Sequence, residues 1–562
     1  MRWFEYIAFL ALVVGLAWPV GLYLARVFEG KPTFLDPALR PIESLLYRLL
    51  RVYRDGEMSA GSYTLCFLLF SAVSTGGLFL LLLVQRWLPG APADHYLTTP
   101  ITADLAMNTA ISFSTTTTWQ AYAGETTLRY MTQLLGLVSQ NFLAGAAGLA
   151  IGIAFIRGFS RERSATLGNF WVDLVRALLW VLLPVALVGS LVLIWQGVPL
   201  NLASYTEAHT LEGAVQTIAQ GPVAALEFIK NLGTNGGGFF NANGAHPYES
   251  PTPLVNFLAM LAIAVLPASL TITFGRMTGR PRAGWMLMAV MVVLFVGGLA
   301  LCDFAESANP PQLASLHVSG GNMEGKEVRF GIGSSVLAAV VTSNGATGSY
   351  NSMHDSYQPL GVLVPLVNML LGEVIFGGLG SGLCGIILIA LVAVFLGGLM
   401  IGRTPEYLGK KITAAETRLT VFYALLTPKL VLALTAVALA TNAGRAGLVT
   451  NNGAHGFTEV LFAYASSMAN NGQNMAGLNA NSAFYNWTTA VAMVAGRFGL
   501  AALALALAGR FAAQRRWPTT SGTLPSDSAI FGALVLGTVL LVGALSFLPA
   551  LALGPFAEAL KH

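Results

Sequence analysis

Leu232-Gly-Thr-Asn-Gly-Gly-Gly-Phe-Phe-Asn-Ala-Asn243 is made almost wholly of small or amide-bearing residues, yet it lies between long apolar segments. Glycine lets a backbone take positive φ and lets neighbouring backbones approach closely. Within a membrane, irregular backbone survives only where protein buries it or where it lines a watery path. The stretch is therefore either a tight turn outside the bilayer or part of a pore. One copy does not decide between these; partial relatives elsewhere in the chain do.

The surroundings are those of a membrane protein. Of 562 residues, 55% are hydrophobic and only 10% charged, with mean hydropathy +0.66, whereas soluble domains carry about 25% charged residues. Cys66, Cys302 and Cys384 are few and scattered, which suggests neither a disulfide framework nor a metal site. The first apolar run is too long for a signal peptide, and its basic residues follow rather than precede it, so it reads as a transmembrane helix. A crossing needs about 20 apolar residues. Ten are predicted, near 3–26, 62–86, 127–156, 170–195, 253–274, 284–303, 360–400, 418–441, 484–509 and 527–553.

Basic clusters test that count. They fall in Lys31 to Arg54, Arg157 to Arg163, Arg276 to Arg282, Arg403 to Lys411 and Arg510 to Arg516, after every odd-numbered span. All five then lie on one side, which the positive-inside rule makes cytoplasmic, and both termini face outside.

Four outside connections hold a shorter helical stretch, near 101–114, 212–232, 331–341 and 456–468, too short to cross and suited to re-entry. A small, hydroxyl or amide cluster follows each. The aligned cores are Thr116-Thr117-Thr118, Thr234-Asn235-Gly236, Ser343-Asn344-Gly345 and Asn470-Asn471-Gly472. This is an internal fourfold repeat of helix, half-helix, polar loop and helix. Each repeat holds two full spans, so successive copies share an orientation and can surround an axis along the membrane normal. The expected architecture is all-α and polytopic, with four pseudo-symmetric helix–pore loop–helix repeats around a central ion path. It forms one integral membrane domain, 1–562: first helix and cytoplasmic loop 1–60, repeats 61–165, 166–282, 283–415 and 416–520, and last helix 521–562. Four unrelated turns are the competing reading, but turns need not follow four short apolar stretches on one side.

A dehydrated cation needs its water oxygens replaced, and rings of backbone carbonyls do this without fixed charge. None of the four cores contains Asp or Glu, which points to a monovalent rather than a divalent ion. Half-helices aimed at the axis would also present their negative C-terminal ends.

These clusters, with Thr126-Thr-Leu-Arg-Tyr-Met131, Gly321-Asn-Met-Glu-Gly-Lys-Glu327, Met353-His-Asp-Ser356, Gly372-Glu-Val-Ile-Phe-Gly-Gly378 and Ala476-Gly-Leu-Asn-Ala-Asn-Ser482, resemble the KdpA family, the potassium-binding A subunits of the Kdp ATP-driven potassium transporter. The likeness runs over essentially the whole chain. It implies a potassium-transporter fold with four pore loops whose core residues bind K+, in a bacterial plasma membrane. It also implies partnership with a P-type ATPase B subunit (KdpB), KdpC and a small KdpF peptide, in a setting of membrane lipids. K+ would be the transported ligand, ATP would be used by a partner, and neither a covalent cofactor nor a nucleic-acid partner is expected. One departure is the first core, which has no glycine, so hydroxyls would replace carbonyls there.

Other residues carry expectations of their own. The predicted seventh span would be about 60 Å long at 1.5 Å per residue, twice the hydrocarbon thickness. Gly377, Gly378, Gly380 and Gly382 would break it and form a gate. Arg497, in the middle of the ninth span, reads as a guide or barrier on the ion route, since intramembrane charges are usually functional; Glu373 is placed to pair with it. Gln120 would line the outer mouth. Lys429 is assigned no role. Gly320-Gly-Asn-Met-Glu-Gly-Lys-Glu327 mimics a P-loop but has Glu327 where Ser or Thr is required. With no Asp-Lys-Thr-Gly phosphorylation sequence either, the chain is expected not to hydrolyse ATP. A passive or ion-coupled transporter of the same architecture is the alternative. An intramembrane hydrolase lacks its motifs.

Overall fold

Two buried helices organise the molecule. In the third span, Thr132–Ser160, 89% of the apolar window is buried, and in the fifth, Pro253–Met277, 78%, against 17% in the eighth, Ala414–Ala440. Their composition explains this. Gly145, Gly148 and Gly152 bring the third span against Gly233, the Leu379 carbonyl and Gly380 in turn, positions where any Cβ would crowd backbone. Small residues are what allow helices to approach this closely in lipid. The first span, Arg2–Phe28, lies along the fifth, with Gly21 against Ile272 and the Thr273 hydroxyl donating to the Gly21 carbonyl at 3.1 Å.

The computed structural model describes residues 2–310, 315–317, 319–402, 405–518 and 524–561. Arg403, counted in the fourth basic cluster, and the 520/521 boundary lie outside these. Among the described residues, ten helices are long and apolar enough to cross a membrane; besides those named they are Ala60–Trp87, Phe170–Trp195, Pro281–Ser307, Ser381–Met400, Ala483–Ala513 and Ala529–Ala559. Side chains set several starts: Thr252 accepts from the Val255 amide and Ser528 from the Phe531 amide, satisfying donors that a helix leaves unpaired.

Three sequence expectations are corrected. The predicted span 360–400 is two helices, Pro359–Leu370 and Ser381–Ile401. The break starts before the glycine cluster: Gly372, Glu373, Phe376 and Gly380 all have positive φ, so Glu373 lies in the break and not on a helix. The predicted stretch 212–232 is helical only over Val223–Leu232. Before it stands a hairpin, Thr206–His209 paired with Val215–Ile218, turning at Gly213 with φ 86°. An unpredicted helix, Asp36–Leu49, buries Glu43 and Tyr47 and leaves Ile42, Leu45 and Leu49 exposed.

Loops that follow odd-numbered spans share one end. Met58–Ser59 pairs with Thr166–Gly168, and Arg163 donates its amide to the Gln514 carbonyl at 3.2 Å. Lys410 is buried there, its ammonium donating to the carbonyls of Arg161 (2.6 Å) and Gln514 (2.9 Å). The opposite end holds both termini, with Arg2 against Asp303 and Glu558 against His455.

Burial, aided by Arg516, pulls the Lys410 ammonium down to about 8. Between there and the ordinary lysine value near 10.5, the unfolded chain holds a proton that the folded chain has lost. Folding stability therefore rises with pH across that window. Thermal unfolding from about pH 7 to pH 10 is expected to show this rise, and Lys410→Met should flatten it.

Candidate functional site

The four half-helices are Ala103–Ser114, Val223–Leu232, Gly331–Asn344 and Gly453–Ala469. Each ends in the same device: a backbone amide reaches back to the carbonyl five residues earlier. The pairs are Thr117 to Ser112 (2.9 Å), Asn235 to Lys230 (2.9 Å), Thr347 to Thr342 (3.2 Å) and Asn471 to Ser466 (2.9 Å). The preceding residue has positive φ in every case: Thr116 60°, Thr234 49°, Ala346 49° and Asn470 58°. Three of the four predicted cores thus share one register.

The third does not. The residues equivalent to Thr234-Asn235-Gly236 are Ala346-Thr347-Gly348, not Ser343-Asn344-Gly345. Ser343 and Asn344 belong to the last turn of the half-helix, and Gly345 caps it with φ −85°. The Ser343 hydroxyl accepts from Asn368 Nδ2 at 3.0 Å, while the Asn344 amide is buried with no hydrogen-bond partner. The half-helix simply continues one turn further than its apolar run suggests. Repeated signal lay in the distance from the helix: Gly236 and Gly348 each follow Lys230 and Thr342 by six residues.

In this register the loops close a ring. Gly236 and Gly348 form a parallel backbone bridge. A Cβ on Gly348 would sit 2.6 Å from the Asn471 carbonyl oxygen, one on Gly472 would overlap the Thr117 carbonyl, and one on Gly237 would lie 3.2 Å from Thr118 Cβ. Thr118 takes the place that glycine holds in the other three, and its hydroxyl donates across to the Asn235 carbonyl at 2.5 Å. Eleven of the twelve residues in this register are buried, and Gly472 is partly exposed.

The middle side chains turn to the scaffold. Asn471 Nδ2 donates to the Thr342 carbonyl (3.0 Å) and to Glu373 Oε1 (2.7 Å). The Thr347 hydroxyl donates to the Gly345 carbonyl at 2.8 Å. Asn235, in the amide orientation that satisfies both its ends, donates to the carbonyls of Gly233 (2.9 Å) and Asn141 (3.2 Å). Thr117 shares its hydroxyl with Thr115 at 2.7 Å and accepts from Asn470 Nδ2 at 3.0 Å. With these side chains occupied, what remains for a ligand is main chain, and no carboxylate belongs to the ring.

A buried ionic network braces the second loop, and sequence reasoning missed it. Lys230, on the half-helix, lies 2.7 Å from Glu227 and in contact with Glu249, and donates to Asn243 Oδ1 at 3.0 Å. Asn243 in turn donates to the carbonyls of Gly237 (2.5 Å) and Gly348 (3.3 Å). The signal available was three ionisable residues inside an apolar region, which need partners to be buried.

Gln120 clasps Gly238, accepting from its amide at 2.8 Å and donating to its carbonyl at 3.2 Å. At the corresponding place across the ring, the Tyr350 hydroxyl donates to Asn474 Oδ1 at 2.9 Å. Burial, with Glu249 nearby, pushes the Tyr350 phenol up to about 12, so it stays a neutral donor. Both residues face a vestibule of about 660 Å³ on the end that carries the termini. Beyond the ring, a cavity of about 50 Å³ is lined by Gly148, Glu373, Leu379, Cys384, Asn470 and Arg497. The structure does not form the expected Glu373–Arg497 pair. Glu373 bonds Asn471, and Arg497 donates to the Ala144 carbonyl at 3.1 Å. Arg497 lies on a π-helical turn, Ala495–Gly499, a widening often found at functional positions. Gly378 packs against Ala346, and the Leu379 amide donates to the Thr234 hydroxyl at 2.9 Å. The broken seventh span therefore touches the second and third loops directly.

The family model described as "Potassium-transporting ATPase A subunit" matches residues 7–560. Among similar proteins, the potassium-transporting ATPase potassium-binding subunit of Methylobacterium nodulans is 50% identical over 556 residues, covering 99% of this chain and 97% of its own. The protein of that name from Bradyrhizobium diazoefficiens is 50% identical with the same coverage. That of Acidobacterium capsulatum is 48% identical over 578 residues, covering 99% and 98%. The chain belongs to the KdpA family, the A subunits of potassium-transporting ATPases.

Proposed function

We propose that the chain is the potassium-binding, filter-bearing subunit of an ATP-driven uptake complex. It takes K+ from the extracytoplasmic side and passes it to a P-type ATPase subunit, the B subunit of the Kdp system, alongside KdpC and KdpF. It resides in the bacterial inner membrane with both termini outside, and hydrolysis belongs to the partner. The observation that carries this reading is the closed ring of four buried loops whose side chains are tied outward and whose inner resource is backbone. Such carbonyls replace the hydration shell of a monovalent cation, and the C-terminal ends of four half-helices add negative potential. The relatives' names supply the ion and the pump.

In this reading the filter residues are Thr116-Thr117-Thr118, Thr234-Asn235-Gly236, Ala346-Thr347-Gly348 and Asn470-Asn471-Gly472. Gln120 braces the mouth. The break holding Glu373, Gly377, Gly378, Gly380 and Gly382 is a gate beneath the ring, with Arg497 a fixed positive charge beside it.

The test is reconstitution with the ATPase partners and measurement of cation-stimulated ATPase activity. Gly236→Asp places a carboxylate and a Cβ against Gly348, and is expected to abolish stimulation by K+. Unchanged stimulation would remove the filter assignment. Gly378→Ala crowds Ala346, 2.7 Å from the new Cβ. It is expected to lower K+ turnover about tenfold, roughly 1.4 kcal/mol of barrier, at near-normal K+ affinity. Transport and ion occlusion at the normal level would instead leave the break a passive kink.

A further inference from the structure

Away from the ring, on the end that carries the termini, four ionisable side chains from three separate segments converge. Asp355 lies in the short turn His354–Ser356 that follows the third loop. His455 and Glu459 stand one helical turn apart at the start of the fourth half-helix, Gly453–Ala469, and Glu558 belongs to the C-terminal turn Ala557–Ala559. None of them takes part in the ring.

The geometry around His455 is specific. Its Nδ1 lies 2.8 Å from Glu558 Oε1, and its Nε2 lies 3.0 Å from Asp355 Oδ1 and 3.9 Å from Glu459 Oε1. One ligand atom from each of Asp355, His455 and Glu459 falls within a sphere where all are within 4.8 Å of one another. If Nδ1–H donates to Glu558, the Nε2 lone pair faces two carboxylates. Three acceptors meeting at one point need a cation between them, either a second ring proton or a metal ion. Glu459 adds an independent indication: it is fully buried, and its Oε2 has no hydrogen-bond partner. Asn451 Nδ2 fixes the other oxygen at 2.7 Å and reaches Asp355 Oδ2 at 3.4 Å.

We propose that Asp355, His455 and Glu459 form a transition-metal site, suited to Zn2+, with Glu558 orienting the histidine. Zinc bonds to nitrogen and carboxylate oxygen are about 2.0–2.2 Å, in a tetrahedron, which separates donor atoms by roughly 3.3 Å; the distances found here bracket that value. Three protein ligands and one open position form the familiar water-bearing arrangement. The side chains of His455 and Asp355 are 18% and 15% exposed, so water has access to the fourth position. A ligating histidine almost always gives its other ring N–H to a carboxylate or carbonyl, and Glu558 occupies that place. The ligand set, one imidazole and two carboxylates, suits Zn2+ or a neighbouring late first-row ion. Occupancy would tie the connection after the third loop to the half-helix that leads into Asn470, and Glu558 would bring the C-terminal turn into the same clamp.

The full-length complex, stripped with a chelator, should be titrated with ZnCl2 and separately with CoCl2. About one equivalent is expected to bind, with the visible bands of four-coordinate Co2+ and a raised unfolding temperature. H455Q and D355N should each abolish that equivalent. E558Q should keep the stoichiometry while weakening affinity about 10- to 100-fold, the usual cost of losing an orienting partner. Because Asp355 is a partly exposed loop residue, D355N provides the test if H455Q fails to fold. Absence of a retained equivalent in the unaltered protein would overturn the proposal and leave a protonated imidazole paired with carboxylates. Binding indifferent to both D355N and H455Q would overturn it as well.

Discussion

Gly348→Ala is expected to weaken the apparent affinity for K+ in cation-stimulated ATPase assays by tenfold or more, about 1.4 kcal/mol, while Asn344→Ala stays within about twofold. The new methyl on Gly348 would lie 2.6 Å from the Asn471 carbonyl oxygen and 2.8 Å from the Gly472 carbonyl carbon. Both are main-chain atoms of the neighbouring loop, so no side chain can rotate out of the way. The methyl would also press on the bridge between Gly236 and Gly348. Asn344 is buried too, but its side-chain amide makes no hydrogen bond, so truncation forfeits none and removes an unpaired polar group from the interior. The pair of variants therefore discriminates between two registers three residues apart. Equal losses at both positions, or a loss at Asn344 alone, would return the third quarter to Ser343-Asn344-Gly345.

Lys230→Met should be more damaging still, and through folding first. The ammonium is wholly buried between Glu227 and Glu249, so its removal strands two carboxylates in an apolar interior. Breaking a buried ion pair from one side costs about 3–5 kcal/mol. The cost would spread to the ring, because Lys230 also holds Asn243, whose amide secures the carbonyls of Gly237 and Gly348. Glu249 itself accepts from the Phe240 amide at 2.8 Å. Low recovery of folded protein and a depressed unfolding temperature are expected for the single variant. Adding Glu227→Gln should restore part of the stability, since the two acids left without their cation then no longer oppose each other. No destabilisation in the single variant, or no gain from the second change, would show that the three groups do not act as a unit.

Much of this architecture is legible in the sequence because membrane insertion leaves few choices. Long apolar runs must be helices, and basic loops after every odd span keep the count consistent. The four half-helices were visible as apolar stretches too short to cross. Three loop cores were legible for a different reason: Thr-Thr-Thr, Thr-Asn-Gly and Asn-Asn-Gly fall where the helix ends. The third misled because Ser343-Asn344-Gly345 copies the chemistry of Thr234-Asn235-Gly236 one turn too early. Residue type alone does not reveal that the amide of Thr347, not Asn344, makes the reach-back bond.

Other differences have similar causes. The hairpin around Gly213 is short and exposed on both faces, so it lacks the alternation that marks a half-buried strand. The break in the seventh span was located at Gly377 to Gly382, but it opens earlier, at Leu371, where Gly372 with φ 75° is the glycine that stops the helix. The Glu373–Arg497 pairing failed because Glu373 is not helical: it lies in the break with φ 53°, and its carboxylate meets Asn471 instead. Asn471 and the Ala144 carbonyl were nearer partners, contributed by other parts of the chain.

Thr118 has a consequence for how such a ring can change over time. In an assembly of four identical chains, each substitution enters the ring four times, so a threonine in place of glycine would narrow or unhinge every side together. Here the quarters are stretches of a single polypeptide, and the threonine is present once, stapled by its hydroxyl to the Asn235 carbonyl. Mutation can therefore explore the ring one side at a time, with three unaltered sides holding the geometry.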